Sequence, residues 1–272
     1  FLTMAKFSGE FYVDNLRFAR EMIDYTYDKL GQLIREDNSP LDKTFVYEYN
    51  DIGNIVSVKE YDYTTGDLGE DYTEKTYTYS TSIRDRLDNF NGHSITYNAM
   101  GCPTSFNGFD ATWTRGKLSG LSRQGTEIGY EYNAFGQRIR KNISYAMGGV
   151  TGYEFCYDTS GRLICERKYS EDGTAIDKLV YLYDENTIIG VVYTANGATN
   201  PYFFQRNLLG DVIGIYDSNR VQVGKYKYDA WGNCTTTLDT TGIAYRNPIR
   251  YRGYYYDMET RLAMVGQRYY SP

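Results

Sequence analysis

The stretch "YEYNAFGQRIRKN", residues 130–142, decides how this chain is read. Tyr130 and Tyr132 flank a glutamate, so on a strand both rings share one face, because side chains alternate with period two. Asn133 follows, a residue whose short side chain bonds back to the local backbone and opens turns. Gly136 comes three residues later, where a type I turn closed by a G1 bulge calls for a left-handed residue. The basic run that follows is then the returning strand. The spacing predicts a β-hairpin.

The same phrase recurs along the chain. "YTYDKLGQLI" carries Tyr25, Tyr27, Asp28 and Gly31, and "YEYNDIGNIV" carries Tyr47, Tyr49, Asn50 and Gly53. "FCYDTSGRLI" carries Tyr157, Asp158 and Gly161, and "YKYDAWGNCT" carries Tyr226, Tyr228, Asp229 and Gly232. A further copy starts at Ile95, and weaker ones start at Tyr77, Thr112, Tyr181 and Phe203. Aromatics, turn opener and glycine persist while the polar letters change. The basic residues of "GQRIRKN" therefore read as a solvated, replaceable strand face. One hairpin cannot bury its aromatic side alone, so stacking of neighbours must supply the stability.

Composition agrees with an all-β fold of tandem hairpins. The 272 residues include 31 tyrosines and 27 glycines but only 5 prolines, a balance that favours strands joined by short turns. A net charge of −6 and a pI near 5 argue against a general nucleic-acid binder. No run of 18 apolar residues is present to make a membrane-spanning helix. The opening "FLTMAKFSGE" has neither an initiator Met nor a signal-peptide pattern, and the chain is expected to be a segment of something longer. Residues 1–24 read as a partial repeat or a short helix, with Leu16, Ala19, Met22 and Ile23 at helical spacing. Residues 25–227 form the repeat array, within which 80–92 and 145–152 read as loops, the second as the tip of a longer hairpin, and 228–272 form a terminal block.

His93 is the single histidine, and Ser94 beside it faces the other way on a strand, so no hydrolytic triad is legible. Asp28, Asp51, Asp158 and Asp229 recur at or beside the turn position, which a repeated turn explains better than a carboxylate pair or a calcium loop. Cys102, Cys156, Cys165 and Cys234 form no metal-type cluster. Cys156 and Cys165 flank one turn and are expected on opposite faces, or as diagonal neighbours, in either case poorly placed for a bridge. No cofactor is expected. Rows of Tyr with Trp113 and Trp231 leave stacking on sugar rings as the alternative use of the surface.

The Tyr-x-Tyr-Asp/Asn-x-x-Gly units resemble those of the YD-repeat, or RHS (rearrangement hotspot), family. Residues 228–272 are similar to the family's RHS-associated core, most specifically in "NPIRYRGYYYDMET" and "RYYSP". The matched core positions are Pro248, Tyr251, Arg252, Gly253, Tyr254, Tyr256, Asp257, Arg268, Tyr269, Tyr270 and Pro272. The resemblance implies a long sheet that spirals into a hollow β-shell enclosing a C-terminal toxin, as in insecticidal toxin complexes. Wall-associated proteins and teneurins carry similar repeats. It also implies aspartate-dependent self-cleavage just beyond the core. The cleavage aspartates are expected in a segment beyond Pro272, so no cleavage residue carries over; within the core, Ser271 replaces the usual Asp and Arg261 stands where relatives have glycine. If that position needs positive φ, arginine costs about 1 kcal/mol there.

The expected function is therefore that of a non-catalytic shell segment in a secreted or cell-surface polymorphic toxin protein. Its partners would be adjacent repeats and a C-terminal toxin of the same polypeptide. Neither nucleic acid nor a membrane span is expected. The alternative is an aromatic-rich carbohydrate-binding or adhesion module that meets cell-surface glycans.

Overall fold

The computed structural model describes residues 22–272. Hairpin follows hairpin without a crossover. Seven antiparallel strands from Ile23–Tyr27 to His93–Ser94 form a first sheet. Fourteen more, from Thr96–Tyr97 to Cys234–Asp239, form a second in which every strand pairs with its chain neighbours. The chain then leaves this sheet, makes the short helix Ile243–Arg246, and closes with a three-stranded sheet of Tyr255–Asp257, Leu262–Val265 and Arg268–Tyr270. Most of the 1–24 segment, expected as a partial repeat or a short helix, lies outside the described residues, while Ile23 and Asp24 belong to the first strand. One expected loop is corrected: Leu87–Phe90 is a strand inside 80–92. The other, 145–152, is the hairpin tip expected there, with its turn at 146–149 between Arg138–Tyr145 and Val150–Tyr157.

The turns form as their residues dictate. Asp28 Oδ1 accepts from the amides of Leu30 and Gln32, both at 2.8 Å, and Asn133 Oδ1 accepts from Phe135 and Gln137, both at 3.0 Å. Asn50, Asp158 and Asp229 repeat the pattern. Gly31, Gly53, Gly136, Gly161 and Gly232 all take positive φ, the conformation that glycine adopts without steric cost. These aspartates are structural acceptors, occupied by backbone.

Just past most turns the register slips, as between Glu131 and Tyr132 or Cys156 and Tyr157, which leaves one residue of the returning strand unpaired. Such bulges bend a strand and increase its twist. Repeated once per hairpin, they curve the sheet. Several bulges are met by a tyrosine from the following repeat: Tyr49 donates to Leu33 O at 2.7 Å, Tyr132 to Leu118 O at 2.8 Å, Tyr157 to Arg138 O at 2.9 Å and Tyr228 to Val212 O at 2.7 Å. This is why the second tyrosine of the unit is kept. Its ring packs on the aromatic face and its hydroxyl holds the neighbouring hairpin.

The aromatic face is the buried one. Tyr130, Tyr153, Phe155, Tyr181, Tyr202 and Tyr226 join Leu118, Ile143, Val191 and Ile215 in a continuous core that also takes in Ile243, Ile249, Tyr255 and Leu262 from the terminal block. The last thirty residues thus lie against the sheet's inner surface.

Candidate functional site: the terminal block and the space it closes

A buried charge cluster pins the terminal block to the sheet. Arg138 is 1% exposed and Lys141 is 2% exposed, both from the run read above as solvated. That reading is corrected. The bulge sets Arg138 opposite Tyr132 and Lys141 opposite Tyr130, so both cations point with the tyrosines to the inner face. Arg138 grips Asp257 with two bonds, Nη1 to Oδ2 at 2.5 Å and Nη2 to Oδ1 at 3.1 Å. Lys141 Nζ adds bonds to Asp257 Oδ1 at 3.0 Å and Glu259 Oε2 at 2.9 Å. Burial alone would raise the Asp257 carboxyl, but Arg138 and Lys141 beside it hold it below the usual carboxylate range. The rings of Tyr130, Phe155 and Tyr255 surround the Arg138 guanidinium at 5.4, 4.8 and 5.0 Å.

A second cluster ties the short helix down. Arg246 reaches Glu166 Oε1 at 2.6 Å and Asp177 Oδ1 at 2.7 Å, while Tyr255 donates to Glu166 Oε2 at 2.6 Å. Core-motif residues account for much of the remaining seam. Arg252 takes φ of 53° and donates its amide to Asp211 at 2.7 Å, and Gly253 takes φ of 71°. Tyr256 donates its amide to Pro248 O at 2.8 Å and lies under the Arg250 guanidinium, while Tyr254 closes the turn onto Tyr251 O at 2.9 Å. Tyr251 stacks on Tyr270, whose hydroxyl donates to Trp231 O at 2.6 Å. Tyr269 and Tyr132 share a hydroxyl–hydroxyl bond of 2.9 Å. Arg268 is exposed. Arg261 has φ of 60°, so the position does require a left-handed residue.

The two large sheets meet at Glu36. Its Oε2 accepts from Tyr47 OH and from the Ala230 amide, both at 3.0 Å, and its Oε1 accepts from Asn38 at 2.7 Å. Asn38 also bonds Tyr228 O at 2.9 Å, and the Tyr47 and Trp231 rings meet edge to face at 6.1 Å. Burial raises the Glu36 carboxyl against these hydrogen bonds, which act to lower it. Between the sheets and the terminal block lies a cavity of about 790 Å³, walled by aromatic side chains that include Phe45, Tyr77, Trp113 and Trp231 and reached by Ser271 and Pro272.

The other expected site residues take structural places. Tyr25 and Tyr27 are on the exposed first strand, and His93 is exposed on a two-residue strand. Among the described residues, no group of three or more His, Cys, Asp or Glu is arranged to hold a metal. No helix there is long and apolar enough to cross a membrane.

The teneurin YD-shell family model matches residues 11–272. The chain belongs to that family. Among curated relatives it is 35% identical over 251 residues to the tRNA3(Ser)-specific nuclease WapA of Bacillus spizizenii, and 34% identical to the tRNA nuclease WapA of Bacillus subtilis strain 168. Each match covers 90% of this chain and 10% of the relative, so the YD-shell segment spans about a tenth of those proteins. Among solved structures, TcdB2-TccC3-TEV superposes with a TM-score of 0.57 at 17% identity, and TcdB2-TccC3-Cdc42 with 0.55 at 17%, each covering 92% of this chain and 16% of that one. They share the all-β shell fold with this YD/RHS segment.

Proposed function

We propose that this segment is a non-catalytic wall of an RHS-type shell that encloses a C-terminal toxin domain of the same polypeptide and acts outside the cell or at its surface. The observation that carries the reading is the aromatic-walled cavity at the junction of sheets and terminal block, with Ser271 and Pro272 at its lining. A polypeptide continuing past Pro272 would enter that space. The names of the WapA relatives attach nuclease activity to proteins in which such a segment is a small part, which supports a toxin as the content. The buried clamps at Asp257 and Glu166 support a rigid, closed wall. Among the described tyrosines only Tyr25, Tyr27, Tyr72, Tyr145 and Tyr245 are exposed, which weighs against a broad presentation of the rings to glycans.

The test is limited proteolysis of the natural polypeptide extended through its downstream sequence. The downstream domain should resist protease in the intact protein and become digestible when Asp257→Ala loosens the seam. Digestion of that domain at the rate of its isolated form would refute enclosure.

A further inference from the structure

The turn at Asp158–Gly161 forms as the sequence predicts, with Gly161 donating to Asp158 O at 3.0 Å. The cysteines beside it do not sit as expected. The bulge after the turn sets Tyr157 opposite Leu163 and then Cys156 opposite Cys165, with Ile164 as the extra residue. The two thiols are direct cross-strand neighbours on one face. Phe155 and Glu166, the next pair along, point to the core, so by alternation the cysteines lie on the outer face.

We propose that Cys156 and Cys165 form a disulfide site on the outer face of the sheet, closed by exchange with a small-molecule disulfide such as oxidised glutathione. Directly opposed residues in antiparallel strands have Cα atoms about 4.5–5.5 Å apart, inside the span of about 4.4–6.8 Å that a disulfide accepts. The other two cysteines are placed elsewhere, Cys102 at the end of a different turn and Cys234 against the Arg250 guanidinium.

The exchange balances without further reagents. The half-buried Cys156 attacks one sulfur of oxidised glutathione as the thiolate, and the other half leaves as glutathione thiolate. Cys165 then attacks the Cys156 sulfur of the mixed disulfide, forms the Cys156–Cys165 bond and expels the second glutathione. Two protein thiols are oxidised and one glutathione disulfide is reduced to two thiols. Burial, together with the neighbouring Cys156 thiol, pushes the Cys165 thiol up to about 11, so the closing step is the slow one at neutral pH. The closed bond would lock the bulged register of this hairpin.

The test is to incubate the full chain with oxidised glutathione, alkylate the remaining thiols, and map the peptides by mass. Free thiols should fall from four to two, with one peptide link between Cys156 and Cys165. A Cys102→Ser/Cys234→Ser variant should form the same link, and Cys165→Ser should stop at the glutathione adduct on Cys156. A persistent Cys156 adduct in the unmutated protein, a link to Cys102 or Cys234, or four thiols left free would overturn the proposal.

Discussion

The Arg138 guanidinium and the Asp257 carboxylate meet in a two-point bond across 119 residues of chain, with neither side chain exposed to solvent. Removing one partner leaves the other as an uncompensated buried charge. Asp257→Ala should therefore destabilise the chain by about 3–5 kcal/mol, read by chemical denaturation. Pairing Arg138→Met with Asp257→Leu should recover much of that loss, because an apolar pair of similar volume avoids the desolvation cost. A double variant no better than the single one would show that the charge pair is not what the seam depends on.

Acidification should act on the two buried carboxylates in opposite senses. Asp257 is held below its unfolded value, so its contribution is present above the ordinary carboxylate range and is lost as pH falls through the lower folded value. Glu36 is raised in the fold, so its contribution is fully present below the unfolded value of about 4.3 and is lost as pH rises through the raised one. Mild acid should tighten the Glu36 junction before stronger acid breaks the Asp257 clamp. Denaturation midpoints across pH for the native chain and for Glu36→Gln check this. The variant should lose the gain in mild acid and keep the loss in strong acid.

The tyrosine hydroxyls give a graded test. Tyr157→Phe should cost about 1 kcal/mol, the usual net worth of one hydrogen bond, because it strands the Arg138 carbonyl. Tyr132→Phe loses bonds to both Leu118 O and Tyr269 and should cost more. Tyr27→Phe, on the exposed first strand, should cost nothing measurable. Equal effects at all three would argue that ring packing alone selects tyrosine.

Gly232 and Gly31 separate backbone strain from crowding. A Cβ at Gly31 meets nothing within 4 Å, so Gly31→Ala should cost only the left-handed penalty of about 1–2 kcal/mol. At Gly232 the added carbon would sit 2.5 Å from the Tyr251 ring, so Gly232→Ala should cost about 2–4 kcal/mol, strain plus overpacking. The shape of thermal melts of the two variants should differ accordingly, with the terminal block released first in Gly232→Ala.

Arg261→Gly should stabilise the chain by about 0.5 kcal/mol, the left-handed penalty relieved at φ of 60° less the chain entropy of glycine. Loss of stability instead would show that the arginine side chain makes a compensating contact.

The hairpin was legible at residues 130–142 because its causes are local. The asparagine, the glycine and the period-two tyrosines act within a few residues of one another. What escaped has a nonlocal or a geometric cause. Asp257 finds Arg138 through the return of the terminal block, and nothing near "RIRKN" announces that partner. The bulge is a subtler omission. It moves Lys141 opposite Tyr130 and Cys165 opposite Cys156, so a register counted straight back from the turn puts both on the wrong neighbour. Arg138 was nonetheless within reach, since even the uncorrected register sets it opposite the inward-facing Tyr132.

Where a tyrosine hydroxyl reaches the bulge of the repeat before, neighbouring hairpins check one another's alignment. A strand that slipped by one residue would withdraw its bulge carbonyl from the next tyrosine and turn its own rings to water. Errors would therefore propagate, and a length change within a strand would be felt by every hairpin laid down after it. Growth and loss in such a wall are tolerable chiefly by the whole repeat.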